Sequence, residues 1–197
     1  MRVILASKSP RRREILTALG VKFEIVSADA DESSPITDPE KLVRELALRK
    51  GRATRELLRA KGEWGDDVLV IAADTVVAAD RKILGKPHGD AEAAEMLRLL
   101  SGHAHTVVSG VALLSGEREA AASESTAVSF ARMTEEEIAR YVQSGEPRDK
   151  AGAYAVQGLA SLWISGLQGD YFNVVGLPVY RLNALCKEFL GRSLIDL

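Results

Sequence analysis

Arg11, Arg12 and Arg13 stand side by side just after a serine-proline pair, in the stretch "LASKSPRRREIL" that runs from Leu5 to Leu16. A strand that leads through Ser-x-Ser-Pro into a helix leaves backbone N–H groups unpaired at the helix start. The dipole there favours an anion, and the hydroxyls of Ser7 and Ser9 add donors. Arginine in the first turn opposes that dipole by about 0.3–1 kcal/mol per charge, so a negative ligand such as a phosphate would offset it. The plainer alternative is a solvated basic triplet. Among the acidic residues, Asp29, Asp31 and Glu32 share one loop, and Asp74 is the first charge after the apolar run "VLVIAA". An aspartate at the end of a buried strand points into the crevice where open α/β sheets keep their ligands. Asp74 could act as a base, or with Glu32 could hold Mg²⁺ or Mn²⁺, since Mg²⁺ takes one or two carboxylates alongside substrate phosphates. A capping role for Asp74 and a solvated Glu32 are the competing readings. Lys50, Lys86 and Lys150 each lie near glycine or proline, and each could reach a phosphate oxygen as a mobile point charge.

Other chemistries lose their support. Gly85-Lys86 is followed by Pro87 and lacks the GxxxxGKS/T spacing of a P-loop, and no GxGxxG occurs. His103 and His105 could share a strand face, but zinc wants further ligands than one remote cysteine supplies, so they read as hydrogen-bonding residues at a strand entrance. Cys186 lies in an apolar helical stripe and reads as core.

These groups sit in a chain of 197 residues, enough for one domain with a sizeable core, and the expectation is a single, bilobal domain over 1–197. With 26 basic against 28 acidic residues the formal charge is -2, so non-specific binding to nucleic acid gains little from counterion release. Aromatic residues are sparse and none lies near the arginines, which removes the stacking platform of a single-strand binder. One cysteine allows no internal disulfide, and a cytoplasmic location is the simplest expectation. "SPRRREIL" faintly suggests a twin-arginine export signal, but Gly20, Lys22 and Glu24 break the apolar segment that such a signal needs. No apolar run approaches the roughly 20 residues of a membrane span, so no membrane partner is expected.

The elements that must position these groups follow from pattern. "RVILA" reads as a strand, and Ser9-Pro10 opens a helix through Leu19, with Ile15, Leu16 and Leu19 on its inner face and Gly20 as its stop. "VKFEIVSA" alternates like a half-buried strand. Asp38-Pro39 begins a long helix to about Ala60, in which Gly51 costs roughly 1 kcal/mol relative to alanine. "DVLVIAADTVVAAD" suits a strand buried on both faces. Asp90 starts a third helix. "TVVSGVALL" and "STAVSFARM" read as strands around a turn at Gly116, and Thr134 with Glu137 forms a capping box for a fourth helix ending near Gly145. "AGAYAVQGLASLWISGL" reads as loop and strand, and Pro178 opens a last helix carrying Leu182, Leu185 and Phe189. The alternation gives an α/β or α+β fold with a mixed sheet.

Taken together, "LASKSPRRREIL", "AADTVV", "LGKP", "SGHAHTVVSGVAL", "SGEPRDKAGAYAVQG" and "NVVGLP" resemble the Maf family of nucleoside triphosphate pyrophosphatases, in the family's order and over nearly the whole chain. The resemblance implies an elongated, two-lobed α/β fold related to inosine triphosphatases, with flanking helices and a central cleft. It also implies a cytoplasmic and often dimeric protein that needs a divalent cation, Mg²⁺ or Mn²⁺. By the same resemblance Ser7, Arg11, Arg12, Glu32, Lys50, Asp74 and Lys86 match catalytic or phosphate-handling positions, with Asp74 the proton acceptor and Glu32 and Asp74 the carboxylates toward the metal. Arg11, Thr75 and Gln157 match positions that select thymine and uracil nucleotides. The glutamine of "AVQG" favours that branch over relatives acting on methylated guanine nucleotides. Departures are small: Ala72 replaces a usual glycine, Gly51 stands where alanine is common, and Ala155 replaces a frequent glycine. The expected reaction cleaves dTTP or UTP, or a modified pyrimidine nucleotide, to the monophosphate and pyrophosphate. The alternative from another class is a nucleotide-binding regulator, linked to cell division, without useful turnover.

Overall fold

The apolar run at 68–73 becomes the spine of the structure. In the computed structural model, which describes residues 1–197, it forms the first half of β3 (Val68–Ala79), and every residue from Val68 to Ala73 is buried. β1 (Arg2–Leu5) lies parallel to it, from Arg2 opposite Val68 to Leu5 opposite Ile71. A strand covered on both faces has no polar side to show, which is why no alternation appears in its sequence. β2 (Glu24–Ile25) continues parallel on β1, and β4 (Lys82–Leu84) turns back antiparallel on β3. β5 (Ala104–Ser115), β6 (Arg118–Phe130) and β7 (Ile164–Gln168) complete a seven-stranded mixed sheet in the order β2-β1-β3-β5-β6-β7. Six helices accompany it: α1 (Pro10–Ala18), α2 (Pro39–Ala60), α3 (Asp90–Leu100), α4 (Glu135–Gln143), α5 (Tyr171–Val175) and α6 (Val179–Leu190). No helix is long and apolar enough to cross a membrane.

The chain divides into two compact units, one of Met1–Asp74, Ser109–Glu124 and Gly176–Leu197, the other of Thr75–Val108 and Ser125–Val175. In the first, α2 packs on the sheet over Ile4, Val70, Ala112 and Leu114. Two glycines set how closely. A Cβ at Gly110 of β5 would lie 2.2 Å from the backbone oxygen of Val43, and one at Gly51 of α2 would lie 2.3 Å from Leu114 Cδ1. The helix interior therefore tolerates Gly51 because its missing side chain is room for Leu114. Cys186 is buried in α6 of the same unit, and burial pushes its thiol up to about 11. In the second unit α3, α4, Phe130 and Tyr154 close a separate core. His105 is buried there on β5, its Nε2 2.8 Å from the Tyr154 hydroxyl and its ring edge-on to Phe130. His103 lies just outside the strand.

Several expectations need correction. Only Glu24 and Ile25 of "VKFEIVSA" form a strand, because β1 offers partners no further than Leu5. Leu19 is not in the core: it caps α1 at 38% exposure, Gly20 reverses the chain at φ 75°, and Val21 takes the buried place. Ser9 occupies the N-cap position without a side-chain cap bond. β6 starts at Arg118, seven residues before "STAVSFARM", so its polar first half is strand as well. Asp74 lies within β3 rather than at its end. Asp38 and the Thr134–Glu137 box cap α2 and α4 as their sequences indicate.

Alanine at Gly110 should relieve the strand of about 0.5–1 kcal/mol of glycine entropy, yet its Cβ meets fixed helix backbone, a strain of about 1–3 kcal/mol. The clash should win, and Gly110→Ala should lower the urea midpoint; an unchanged or raised midpoint would show that α2 does not sit this close. For His105, burial lowers the imidazole from 6.5 to about 4. The unfolded chain binds the proton below its ordinary value while the folded one resists until about pH 4. His105 therefore contributes stability above pH 6.5 that is lost as pH falls to 4, by up to ~3 kcal/mol. Urea midpoints between pH 4 and 7 should fall more steeply for the wild type than for His105→Gln; parallel curves would contradict this.

Candidate active site

β1 stops at Leu5, and Ala6 N donates to Ile71 O at 2.8 Å as the last link along β3. Residues 6–9 then turn into α1, with Pro10 at its first position. Ser7 is buried in this turn, and its Oγ accepts from Ser9 N and from Arg12 Nη1, each at 3.2 Å. With β1 ended, the carbonyl of Ala73 is open to a side chain, and Arg12 Nη1 donates to it at 2.9 Å. Arg12 Nε donates to Gly176 O, also at 2.9 Å. Arg12 thus ties the β1–α1 turn, the segment ahead of α6, and the residue preceding Asp74. Burial lowers its pKa from the ordinary arginine value, and the negative charges of Asp74 and Glu32 oppose that shift. Arg11 beside it is half-buried and Arg13 exposed, so the three adjacent guanidiniums occupy three different environments.

Asp74 is buried, its side chain 10% exposed. Its Oδ1 pairs with Lys50 Nζ from α2, and Lys50 pairs in turn with Glu32 Oε1 at 2.9 Å. Lys50 is itself only 20% exposed, whereas Glu32 reaches in from the solvent side at 58%. The close packing of α2 at Gly51 and Gly110 fixes the height of Lys50 above the sheet. The acidic loop is held by its own bonds: Asp31 Oδ1 accepts from Ser33 N and Oγ, and Arg49 Nη1 donates to the carbonyls of Asp31 and Ser33 at 3.3 and 2.7 Å. Hydrogen bonds from Ser33 keep the Asp31 carboxyl below its usual range. Asp29 pairs with Lys8 on the surface. Of the three acidic loop residues only Glu32 meets Lys50.

In the first unit, then, Ser7, Arg12, Glu32, Lys50 and Asp74 come together. Thr75, Lys86 and Gln157 belong to the second. Lys86 is exposed between β4 and α3, beside Gly85, whose carbonyl accepts from Gly152 N at 3.0 Å. Gly152 sits at φ 67° with room for no side chain, since a Cβ would lie 2.7 Å from Val77. Thr75 is half-buried next to Asp74, and Gln157 is exposed on a turn. Lys150 pairs with its neighbour Asp149. No group of three or more His, Cys, Asp or Glu side chains is arranged to hold a metal ion. Glu32 and Asp74 both pair with the Lys50 ammonium, and as hard oxygen donors they would suit Mg²⁺ or Mn²⁺ where phosphate oxygens fill the remaining places. Sequence reading missed Arg49. Its only signal was Glu45 four residues earlier, which marks a surface helix pair and says nothing of the loop it holds.

The profile described as Maf-like protein matches residues 2–189. The chain is 45% identical over 189 residues to a protein of Bacillus thuringiensis subsp. konkukian and 47% identical to one of Bacillus mycoides, each alignment covering 95% of both chains; both relatives are named dTTP/UTP pyrophosphatase. A Bacillus anthracis protein of the same name is 45% identical over the same share. Among solved structures, the Ham1 protein of Staphylococcus aureus overlaps 66% of this chain and 72% of its own, at 13% identity and a TM-score of 0.45.

Replacing Arg49 with methionine keeps the aliphatic stem and removes both loop bonds. Hydrogen exchange at residues 31–36 should quicken in Arg49→Met while the unfolding free energy from urea titration falls by less than about 1 kcal/mol, since the lost pairs are partly exposed. Unaltered exchange would mean that the loop is held by something other than Arg49.

Proposed function

The chain belongs to the Maf-like family, and from that premise we propose that it is a nucleoside triphosphate pyrophosphatase acting on dTTP and UTP. The observation that carries the proposal is a buried carboxylate, Asp74, held against Lys50, which also pairs with Glu32, next to the Ser7–Arg12 turn. Cleavage between the α and β phosphates needs a water aligned on the α-phosphorus, removal of its proton, and neutralisation of the pyrophosphate that departs. Asp74 takes the proton, since carboxylates within hydrogen-bond reach of a water act as general bases. Lys50 orients the Asp74 carboxylate and offsets its charge. Ser7 and the backbone N–H groups at the start of α1, with Arg11, offer donors to phosphate oxygens. Arg12 uses Nε and Nη1 to hold this turn in place, which makes positioning its first task. Glu32 and Asp74 would offer carboxylate oxygens to a divalent cation, which would supply further neutralisation of the phosphates.

The roles of Lys86 toward phosphate, and of Arg11, Thr75 and Gln157 in base selection, enter the proposal from the resemblance. Gln157 carries an amide donor and a carbonyl acceptor, the complement of the uracil and thymine edge. A cytoplasmic setting is supported by the single, buried Cys186, which leaves no internal disulfide.

The purified protein, incubated with Mg²⁺ or Mn²⁺ and a panel of triphosphates, should release pyrophosphate fastest from dTTP and UTP. Asp74→Asn should lower kcat by about 10²–10⁴ while dTTP still binds. A wild-type protein that binds dTTP and leaves it intact would replace the enzyme with a nucleotide-binding regulator. An Asp74→Asn variant at full rate would remove Asp74 from the base role.

A further inference from the structure

Gln157 lies at the corner of a tight turn: Gly158 N donates to Ala155 O at 3.1 Å, leaving Val156 and Gln157 as the two central residues. Val156 is half-buried and Gln157 exposed, so the orientation of the corner depends heavily on what grips its ends. Both ends meet one pair of side chains. At the start, Ala155 N donates to the Tyr141 hydroxyl at 3.3 Å. At the finish, Leu159 N donates to Glu146 Oε2 at 3.0 Å and Ala160 N to Oε1 at 3.5 Å. Tyr141 donates its own proton to Glu146 Oε1 at 2.8 Å, so the two grips form one connected brace. Gly158 completes it, because a Cβ there would lie 2.2 Å from the Glu146 carboxylate. Tyr141 is buried on α4 and leans on Trp163, ring centroids 5.7 Å apart, which anchors the brace to the core.

We infer that Tyr141 and Glu146 are positioning residues for base selection: their joined side chains hold the 155–158 turn, so that the Gln157 side chain starts from a fixed backbone position. The inference rests on the reading that gives Gln157 the pyrimidine edge. A donor–acceptor pair discriminates between bases only when the backbone that carries it stays in register with the base, because a wandering turn lets the amide meet either kind of edge.

Steady-state rates of the full-length protein with dTTP, UTP and dGTP test this. Tyr141→Phe removes the hydroxyl and keeps the ring; Glu146→Gln replaces one of the two acceptors. Each should lower kcat/KM for dTTP and UTP by about three- to tenfold, chiefly through KM, while dGTP changes less than about twofold. A residue that only stabilised the fold would scale all three nucleotides together, so the ratio between bases is the decisive readout. Dissociation constants for non-hydrolysable dTTP and dGTP analogues give the same ratio without turnover, which separates this inference from the proposed hydrolysis. In the double variant, Tyr141→Phe should add nothing to the loss of discrimination caused by Gln157→Ala. Additive losses, or a Tyr141→Phe protein with full discrimination where Gln157→Ala has lost it, would overturn the positioning role alone. Full discrimination in Gln157→Ala would overturn the reading of Gln157 and this inference with it. Should Glu146→Gln fail to fold, Tyr141→Phe carries the comparison.

Discussion

Two carboxylates that face the same small volume repel one another, and here the ammonium of Lys50 lies between them. That arrangement asks for three separate pieces of chain in register. β3 must deliver Asp74 from a strand buried on both faces, α2 must bring Lys50 down from above, and the acidic loop must fold back to bring Glu32. A buried ion pair gives little net stability, since desolvation takes back most of the Coulomb gain, so its surroundings have to hold it in place. Gly110 and Gly51 do that for Lys50 by letting helix and sheet approach at backbone distance. Arg49 does it for the loop, and Arg12 does it for the strand through the carbonyl next to Asp74.

The same cluster explains how an arginine can sit against the positive end of a helix. Arg12 does not stay in solvent beside the dipole. Its guanidinium folds back onto two carbonyls and a serine oxygen, near the negative charges of Asp74 and Glu32. These interactions offset both the dipole and the loss of water.

What the sequence disclosed and what it hid divide along a physical line. Helix starts at Asp38-Pro39 and Thr134 were legible because a cap is a local event, complete within four residues. The buried half of β3 was legible because its apolar run was unbroken. Asp74, Lys50 and Glu32 could be picked out as candidates by chemistry and by resemblance, whereas their meeting depends on tertiary packing. The bond from Arg12 to Gly176 spans 164 positions and that from Tyr141 to Ala155 spans 14, and neither leaves a periodic trace. The shortness of β2 was equally invisible, being set by where its neighbour ends. Gly51 looked like a flaw in a helix until Leu114 was seen to occupy the space.

The chain passes from one compact unit to the other within β3, β5 and β6, and returns to the first for good only at Gly176. Neither unit is therefore a contiguous stretch that a ribosome could finish before starting the other. The Arg12 guanidinium must wait for Gly176, 164 positions later, to emerge before all its acceptors exist, so the turn around Ser7 takes its final shape only after that distant segment has been made.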